Sequence, residues 1–120
     1  MRVLVADYSM VMRRIVCRTL RQAGFDCSDI GEAADGLQAY EVALSESPDL
    51  VLSDWNMPEM TGIESMRAIR AAGSTVTFGF VTSEGSDEMR AEAAAAGAAF
   101  LIAKPFTADT FRDVLEQFVA

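Results

Sequence analysis

Short apolar runs alternate along this chain with longer segments whose apolar residues recur at helical spacing. The runs cover residues 3–6, 50–52, 76–81 and 100–103, and a weaker one covers residues 27–33. Continuous apolar runs of this length are typical of parallel strands that are buried on both faces. The alternation therefore predicts a strand-helix unit repeated five times. This gives an α/β fold with a parallel sheet, helices on both faces and right-handed crossovers.

Apolar stripes and helix-end residues in the predicted helices support this fold. The first helix carries an apolar stripe at i, i+3, i+4, i+7, i+8 and i+11, formed by Met12, Ile15, Val16, Thr19, Leu20 and Ala23. Left-handed glycines are expected at three helix ends, at Gly24, Gly73 and Gly97. Asp35, with Gln38 in a capping-box pattern, and Thr107 are expected to begin two helices. The apolar residues of the last helix are Phe111, Val114, Leu115 and Phe118.

The composition fits one folded domain, which we expect to span residues 1–120. Hydrophobic residues make up 51% and charged residues 23%, which is ordinary for a globular protein. No apolar run approaches the roughly 20 residues that span a membrane, and the first residues lack the apolar stretch of a secretion signal. We therefore expect a monomeric, cytoplasmic protein without membrane contacts. Its two cysteines, Cys17 and Cys27, are expected to be free thiols.

The chain is acidic and contains no histidine. Its formal net charge is −8, from 10 basic and 18 acidic residues, which argues against nucleic acid as a partner. The lack of histidine excludes serine-histidine hydrolysis and histidine-zinc chemistry. An acidic chain of this kind suits a hard cation such as Mg²⁺, if it binds a metal.

Polar residues follow four of the predicted strands. Asp7 follows the first strand, Asp54 the third, Thr82 the fourth and Lys104 the fifth. Because parallel strands end at the same edge of a sheet, these side chains are expected to converge there. Two carboxylates, a hydroxyl and an ammonium group suit phosphoryl transfer onto a carboxylate. In that chemistry Asp54 supplies the nucleophile, and Lys104 and Thr82 contact the phosphoryl oxygens.

Four segments at these positions resemble one known family. They are SDWNMP at 53–58, MRRIV at 12–16, VTSE at 81–84 and KPFT at 104–107. In this order and spacing, over nearly the whole chain, the sequence resembles the receiver domain of two-component response regulators. The resemblance implies a doubly wound, flavodoxin-like (βα)5 fold with strand order 2-1-3-4-5, and a cis peptide bond before Pro105.

The resemblance also implies roles for individual residues. Asp54 resembles the phosphoacceptor, Thr82 the switch hydroxyl and Lys104 the phosphate-contacting lysine. Mg²⁺ would be held by Asp7, Asp54 and the backbone carbonyl of Asn56. Glu84 occupies a position that tunes dephosphorylation, or is a solvated loop carboxylate. Self-catalysed phosphorylation and dephosphorylation are expected, without the turnover of an enzyme.

Two positions depart from the family pattern. In the gap-free register, Tyr8 stands where the family has a second acid that binds the metal, so Mg²⁺ binding is expected to be weakened. In the alternative register Asp7 takes that place, which requires an extra residue in the following loop. Leu101 stands at the aromatic switch position. Its neighbour Phe100 should face the opposite side of the sheet and serve only in packing. Trp55, next to Asp54, is expected to be partly exposed.

The resemblance implies two partner surfaces. Arg14 and Arg18, with Arg21, lie on one face of the first helix, which suits either solvent or docking of a histidine kinase or histidine phosphotransfer protein. A downstream target would bind the fourth helix, fifth strand and fifth helix, on a face that includes Met89, Arg90, Leu101, Phe106 and Arg112.

The sequence thus indicates a phosphorelay receiver that accepts a phosphoryl group on Asp54 and changes its partner-binding surface, with chemotaxis as a candidate pathway. The alternative is an atypical receiver that binds partners without phosphorylation, because Tyr8 and Leu101 are unusual. A phosphatase with an aspartyl-phosphate intermediate is disfavoured, because Asn56 stands where such enzymes carry a second carboxylate. A flavin carrier would need a phosphate-binding loop after the first strand, which the sequence does not contain.

Overall fold

Five strands alternate with five helices in the computed structural model, which describes residues 1–119. The strands are β1 (Arg2–Ala6), β2 (Asp29–Ala33), β3 (Leu50–Ser53), β4 (Thr77–Thr82) and β5 (Phe100–Ala103). The helices are α1 (Met10–Gln22), α2 (Gly36–Glu46), α3 (Gly62–Ala71), α4 (Asp87–Ala96) and α5 (Ala108–Leu115). The strand-helix alternation predicted from the sequence is confirmed.

The strands form one parallel sheet in the order 2-1-3-4-5. Ala6 of β1 lies opposite Ser53 of β3, and Thr82 of β4 lies opposite Ala103 of β5. The strands of each pair therefore end level, and β4 extends two residues beyond β3, because Ser53 lies opposite Phe80. This register brings the residues that follow β1, β3 and β5 to a single edge of the sheet.

Each face of the sheet carries its own apolar core. Leu4, Phe78 and Phe80 point to the side covered by α2, α3 and α4, where they pack with residues such as Met66 and Ile69. On the opposite side, α1 and α5 cover Val3, Val5, Leu50 and Leu52 with Leu20, Phe111 and Leu115. The two-residue alternation along β1 thus feeds both cores, which is why the sequence shows a continuous apolar run.

The local signals at helix ends are largely as predicted. Gly24, Gly73 and Gly97 have φ values of +93°, +94° and +108°. Asp35 and Thr107 are N-caps, and each accepts a hydrogen bond from a backbone N–H three residues on. The capping box at Asp35 is only half formed, because the Gln38 side chain accepts from the N–H of Ala34 instead. The Lys104–Pro105 peptide bond is cis, as the resemblance implied.

Three expectations about individual residues were wrong. The second strand begins at Asp29 and not at residue 27. Helix α5 ends at Leu115, so Phe118 lies beyond it and packs on Phe100 with ring centroids 5.5 Å apart. Trp55 is buried, because its ring packs on Phe80 of β4 at 4.8 Å between centroids.

Within residues 1–119, none of the helices has the length and apolar character needed to cross a membrane.

Candidate functional site

Two carboxylates and a lysine meet at the carboxyl edge of the sheet. Asp7 follows β1, Asp54 follows β3 and Lys104 follows β5. The Lys104 Nζ atom lies 3.0 Å from Oδ2 of Asp7 and 3.6 Å from Oδ2 of Asp54. The lysine side chain is 17% exposed and those of Asp7 and Asp54 are 7% and 16% exposed, so the three charges interact with limited screening by water. The convergence predicted from the strand ends is therefore found in the structure.

Backbone contacts fix the position of Asp54. Its own N–H donates to the carbonyl of Ala6 at 2.8 Å, and the N–H of Trp55 donates to its Oδ1 at 2.8 Å. Burial raises the pKa of Asp54 above its ordinary value of 3.8, and the charge of Asp7 acts in the same direction. The ammonium of Lys104, the Trp55 N–H and the Thr82 hydroxyl oppose this rise. The Asp54 carboxylate is therefore held in place with part of its surface open to a reactant.

Thr82 ends β4 beside this pair of carboxylates. Its side chain is fully buried, and its Oγ1 accepts a hydrogen bond from the backbone N–H of Glu84 at 3.4 Å. Glu84 and Asn56 are themselves exposed, in the loops that follow β4 and β3. Thr82 thus links the loop after β4 to the site, while Glu84 and Asn56 lie at its rim.

The acidic donors of the site are fewer than in the family pattern. Tyr8 follows Asp7 and is 69% exposed, and it offers a phenol in place of a carboxylate. No group of three or more His, Cys, Asp and Glu side chains that could hold a metal ion occurs among residues 1–119. Asp7 and Asp54 nevertheless provide hard oxygen donors of the kind that Mg²⁺ takes, usually together with waters. The donor set therefore fits Mg²⁺, with one carboxylate fewer.

The position of the aromatic switch is occupied by a core residue. Leu101 is 9% exposed and packs in the cluster covered by α3 and α4, whereas Phe100 packs on the α1 and α5 side. This confirms that the two neighbours face opposite sides of the sheet. The Phe100 ring lies over Gly79 of β4, in the space that a Cβ atom there would need. Arg90 contacts this region from α4, since its Nη1 donates to the Leu101 carbonyl at 3.0 Å.

The residues expected to bind partners differ in their exposure. Arg14 has a side chain 70% exposed, and with Arg18 and Arg21 it lines an open groove on α1 that also includes Met10, Val11 and Ile15. Met89 and Phe106 are half-buried and pack against the two cores. Leu101 is buried, so of the predicted output face only Arg90 and Arg112 are exposed.

Sequence reasoning missed two residues next to the site. Arg13 of α1 donates from Nε to Glu32 of β2 at 2.9 Å and from Nη1 to the carbonyl of Asp7 at 2.7 Å. Arg13 lies in a segment that carried the family resemblance, but it had been given no role. Its partner is 19 residues away on another element, and no local spacing reveals such a pair.

Fold and site together define a class of protein. The family model of the response regulator receiver domain matches residues 3–116, and the chain belongs to this family. It is 38% identical over 119 residues to the chemotaxis protein CheY of Pseudomonas aeruginosa, and the alignment covers 98% of this chain and 94% of that protein. It is 40% identical to CheY-3 of Vibrio cholerae, with 98% and 90% covered. The structure of the V. cholerae chemotaxis protein CheY4 superposes with a TM-score of 0.85 at 34% identity and covers 98% of each chain.

Proposed function

We propose that this receiver takes its phosphoryl group on Asp54. The observation that carries the proposal is the position of Lys104, whose ammonium lies 3.6 Å from the Asp54 carboxylate at the open edge of the sheet. An Asp54 oxygen forms a bond to phosphorus while the bond between phosphorus and the donor's imidazole nitrogen breaks, and the imidazole leaves with the electron pair. Lys104 and Thr82 then contact the phosphoryl oxygens, where charge develops.

The phosphorylated site needs a second cation. The acyl phosphate carries about −1.5 to −2 charges at pH 7 in place of the single charge of the Asp54 carboxylate. Asp7 adds another negative charge, and Lys104 supplies a single positive charge. Asp7, Asp54 and the carbonyl of Asn56 would hold Mg²⁺, which would neutralise part of this charge when bound. Because Tyr8 contributes no carboxylate, we propose that the site binds Mg²⁺ more weakly than a receiver with both acids. Glu84 and Asn56, at the rim, are proposed to tune the hydrolysis of the acyl phosphate.

The partners follow from the same proposal. A histidine kinase or histidine phosphotransfer protein would donate the phosphoryl group, and a downstream protein would recognise the phosphorylated state. The relatives named for chemotaxis support a chemotaxis pathway. The free thiols of Cys17 and Cys27 suit a reducing compartment, and we place the protein in the cytoplasm.

Helix α1 is proposed to dock the phosphoryl donor. The exposed guanidinium groups of Arg14 and Arg18 lie beside the apolar side chains of Met10 and Val11, which are 58% and 66% exposed. A mixed surface of this kind suits a partner that has an acidic rim around an apolar centre. Met89, Arg90 and Phe106 are proposed to contact the downstream target. Met89 and Arg90 lie on α4, whereas Phe106 lines a groove with Met12 and Ile15 of α1.

Transfer of label from a phosphorylated histidine phosphotransfer protein tests this function. We expect the label to move from the partner to this chain, and not to the Asp54→Asn variant. A second variant, Arg14→Glu/Arg18→Glu, is compared through the ratio of its phosphorylation rate by the partner to its rate with acetyl phosphate. This ratio should fall about tenfold or more, because rim charges steer the association of partners. A failure to transfer label from any phosphohistidine donor would contradict the proposal. An unchanged ratio would contradict docking through α1.

The alternative, a receiver that acts without phosphorylation, rests on Tyr8 and Leu101. The site itself speaks against it, because Asp7, Asp54, Thr82 and Lys104 are assembled at one edge with the contacts described above. Binding of a downstream partner with equal affinity to the unphosphorylated wild type and to the phosphorylated protein would favour the alternative.

A further inference from the structure

The side chain of Arg13 joins three segments of the chain near Asp54. Its Nε donates to Glu32 Oε1 at 2.9 Å, and its Nη1 donates to the carbonyl oxygens of Asp7 at 2.7 Å and Tyr8 at 3.4 Å. The side chain is only 14% exposed, whereas that of Arg14 is 70% exposed. Arg13 therefore faces into the molecule and is not placed to meet a partner.

The contacts of Asp7 show what Arg13 does there. On one side of its Cα atom, the Asp7 N–H donates to the carbonyl of Ala33 at 3.0 Å, and on the other side the Asp7 carbonyl accepts from Arg13. Its carboxylate accepts from the N–H of Ser9 at 2.9 Å and from Lys104 at 3.0 Å. Because the peptide groups on both sides of Asp7 are held, the direction of its side chain is set. Arg13 donates the hydrogen bond that fixes the peptide group on the side of the β1–α1 loop.

The departure at Tyr8 increases the importance of this contact. With a phenol at the second position, Asp7 is the single acid of the loop, and it shares Lys104 with Asp54. A displacement of about 1 Å in a group that orders a reacting site can cost up to a hundredfold in rate. A loop with one acid has no neighbouring carboxylate to compensate for such a displacement.

We propose that Arg13, anchored by Glu32, is a positioning residue for phosphoryl transfer to Asp54. It fixes the β1–α1 loop so that Asp7 keeps its ion pair with Lys104 beside the phosphoacceptor. The inference rests on the proposed role of Asp54. The structure also offers a simpler explanation to test against it, namely that the pair Arg13–Glu32 only ties α1 to β2.

Arg2 provides a matched control for that simpler explanation. It makes the same kind of contacts at the opposite end of the β1–β2 pair, with Nε 2.8 Å from Oδ2 of Asp29 and Nη1 donating to the carbonyl of Glu46 at 2.6 Å. An arginine there also joins β2 to a backbone carbonyl, but far along the sheet from Asp54. Replacement of Arg2 therefore measures how much such a contact contributes to the stability of the fold, without changing the site around Asp54.

The test compares Arg13→Gln, Arg13→Lys, Glu32→Gln and Arg2→Gln with the wild type. Phosphorylation by acetyl phosphate is measured in the presence of Mg²⁺, and urea unfolding is measured on the same samples. We expect Arg13→Gln to lower the maximal rate about tenfold, as for the loss of a charged hydrogen bond that holds a reacting group. Arg13→Lys should recover part of the rate, and Glu32→Gln should fall in between. Arg2→Gln should lose stability and keep the rate.

The outcomes separate the two proposals. A wild type that acetyl phosphate does not phosphorylate contradicts the role of Asp54 and, with it, the role of Arg13. A phosphorylated wild type with an equal rate in Arg13→Gln overturns the inference alone. Equal slowing by Arg2→Gln at matched loss of stability also overturns it, because the effect would then be structural. If Arg13→Gln does not fold, Glu32→Gln and Arg13→Lys take its place in the comparison. Phosphorylation rates below that of the wild type in both variants support the inference, and rates equal to that of the wild type overturn it.

Discussion

At the scale of the residue, the site is defined by an unequal count of charges. Asp7 and Asp54 bring two negative charges to one ammonium, that of Lys104, at 3.0 and 3.6 Å. The cost of partly burying Asp54 shows in its raised pKa. The arrangement therefore favours any event that adds positive charge or removes a carboxylate.

Replacement of Asp54 tests this reading through stability. Because burial raises its pKa in the folded protein, the ionised side chain destabilises the fold at neutral pH, and Asp54→Asn should be the more stable protein there. The difference in stability between the two proteins should be absent at a pH below the ordinary pKa of 3.8, because Asp54 is then protonated in both the folded and the unfolded wild type. It should grow as the pH rises towards the folded-state value and stay constant above it. Urea unfolding at several pH values measures it, and a variant less stable at pH 7 would contradict the argument.

The weaker Mg²⁺ binding proposed for this site can be tested at Tyr8. Tyr8→Asp restores a second carboxylate beside Asp7 and should tighten Mg²⁺ binding by on the order of tenfold, because ligand charge governs affinity at such sites. The fluorescence of Trp55, whose N–H donates to the Asp54 carboxylate, can follow the titration. Tyr8→Phe, which removes only the hydroxyl group, is the control and should bind as the wild type does. An affinity that Tyr8→Asp leaves unchanged would show that position 8 does not reach the metal.

At the scale of the element, the strands and helix ends could be predicted because their signals are local. The apolar runs, the three left-handed glycines and the caps at Asp35 and Thr107 each lie within a few residues of the structure they specify. Convergence of Asp7, Asp54 and Lys104 could also be predicted, because parallel strands that end together place their following residues together.

Features that depend on contacts between elements were not predictable in the same way. Trp55 is buried with its ring packed on Phe80 of the neighbouring strand. The link between Arg13 and Glu32 requires the placement of α1 over β2. The packing of the Phe100 ring over Gly79 depends on the pairing of β5 with β4. In each case the partner comes from a distant part of the chain, so the deciding information is tertiary.

At the scale of the whole molecule, the proposed phosphorylation site and the proposed partner surfaces lie on neighbouring parts of the fold. The carboxyl edge carries the proposed phosphorylation site, and α1 beside it carries the exposed arginines. Arg90 of α4 donates to the carbonyl of Leu101 in β5. The buried Thr82 lies between the site and the loop that leads into α4. A change at Asp54 can therefore reach α4 through a short series of contacts, which suits a two-state response.

The central claim is that Asp54 accepts one phosphoryl group. The most direct measurement is the intact mass of the wild type and of Asp54→Asn after incubation with acetyl phosphate and Mg²⁺. The wild type should gain the mass of a single phosphoryl group, and this gain should be absent from Asp54→Asn. A wild type without the adduct, or an adduct that persists in Asp54→Asn, would contradict the claim.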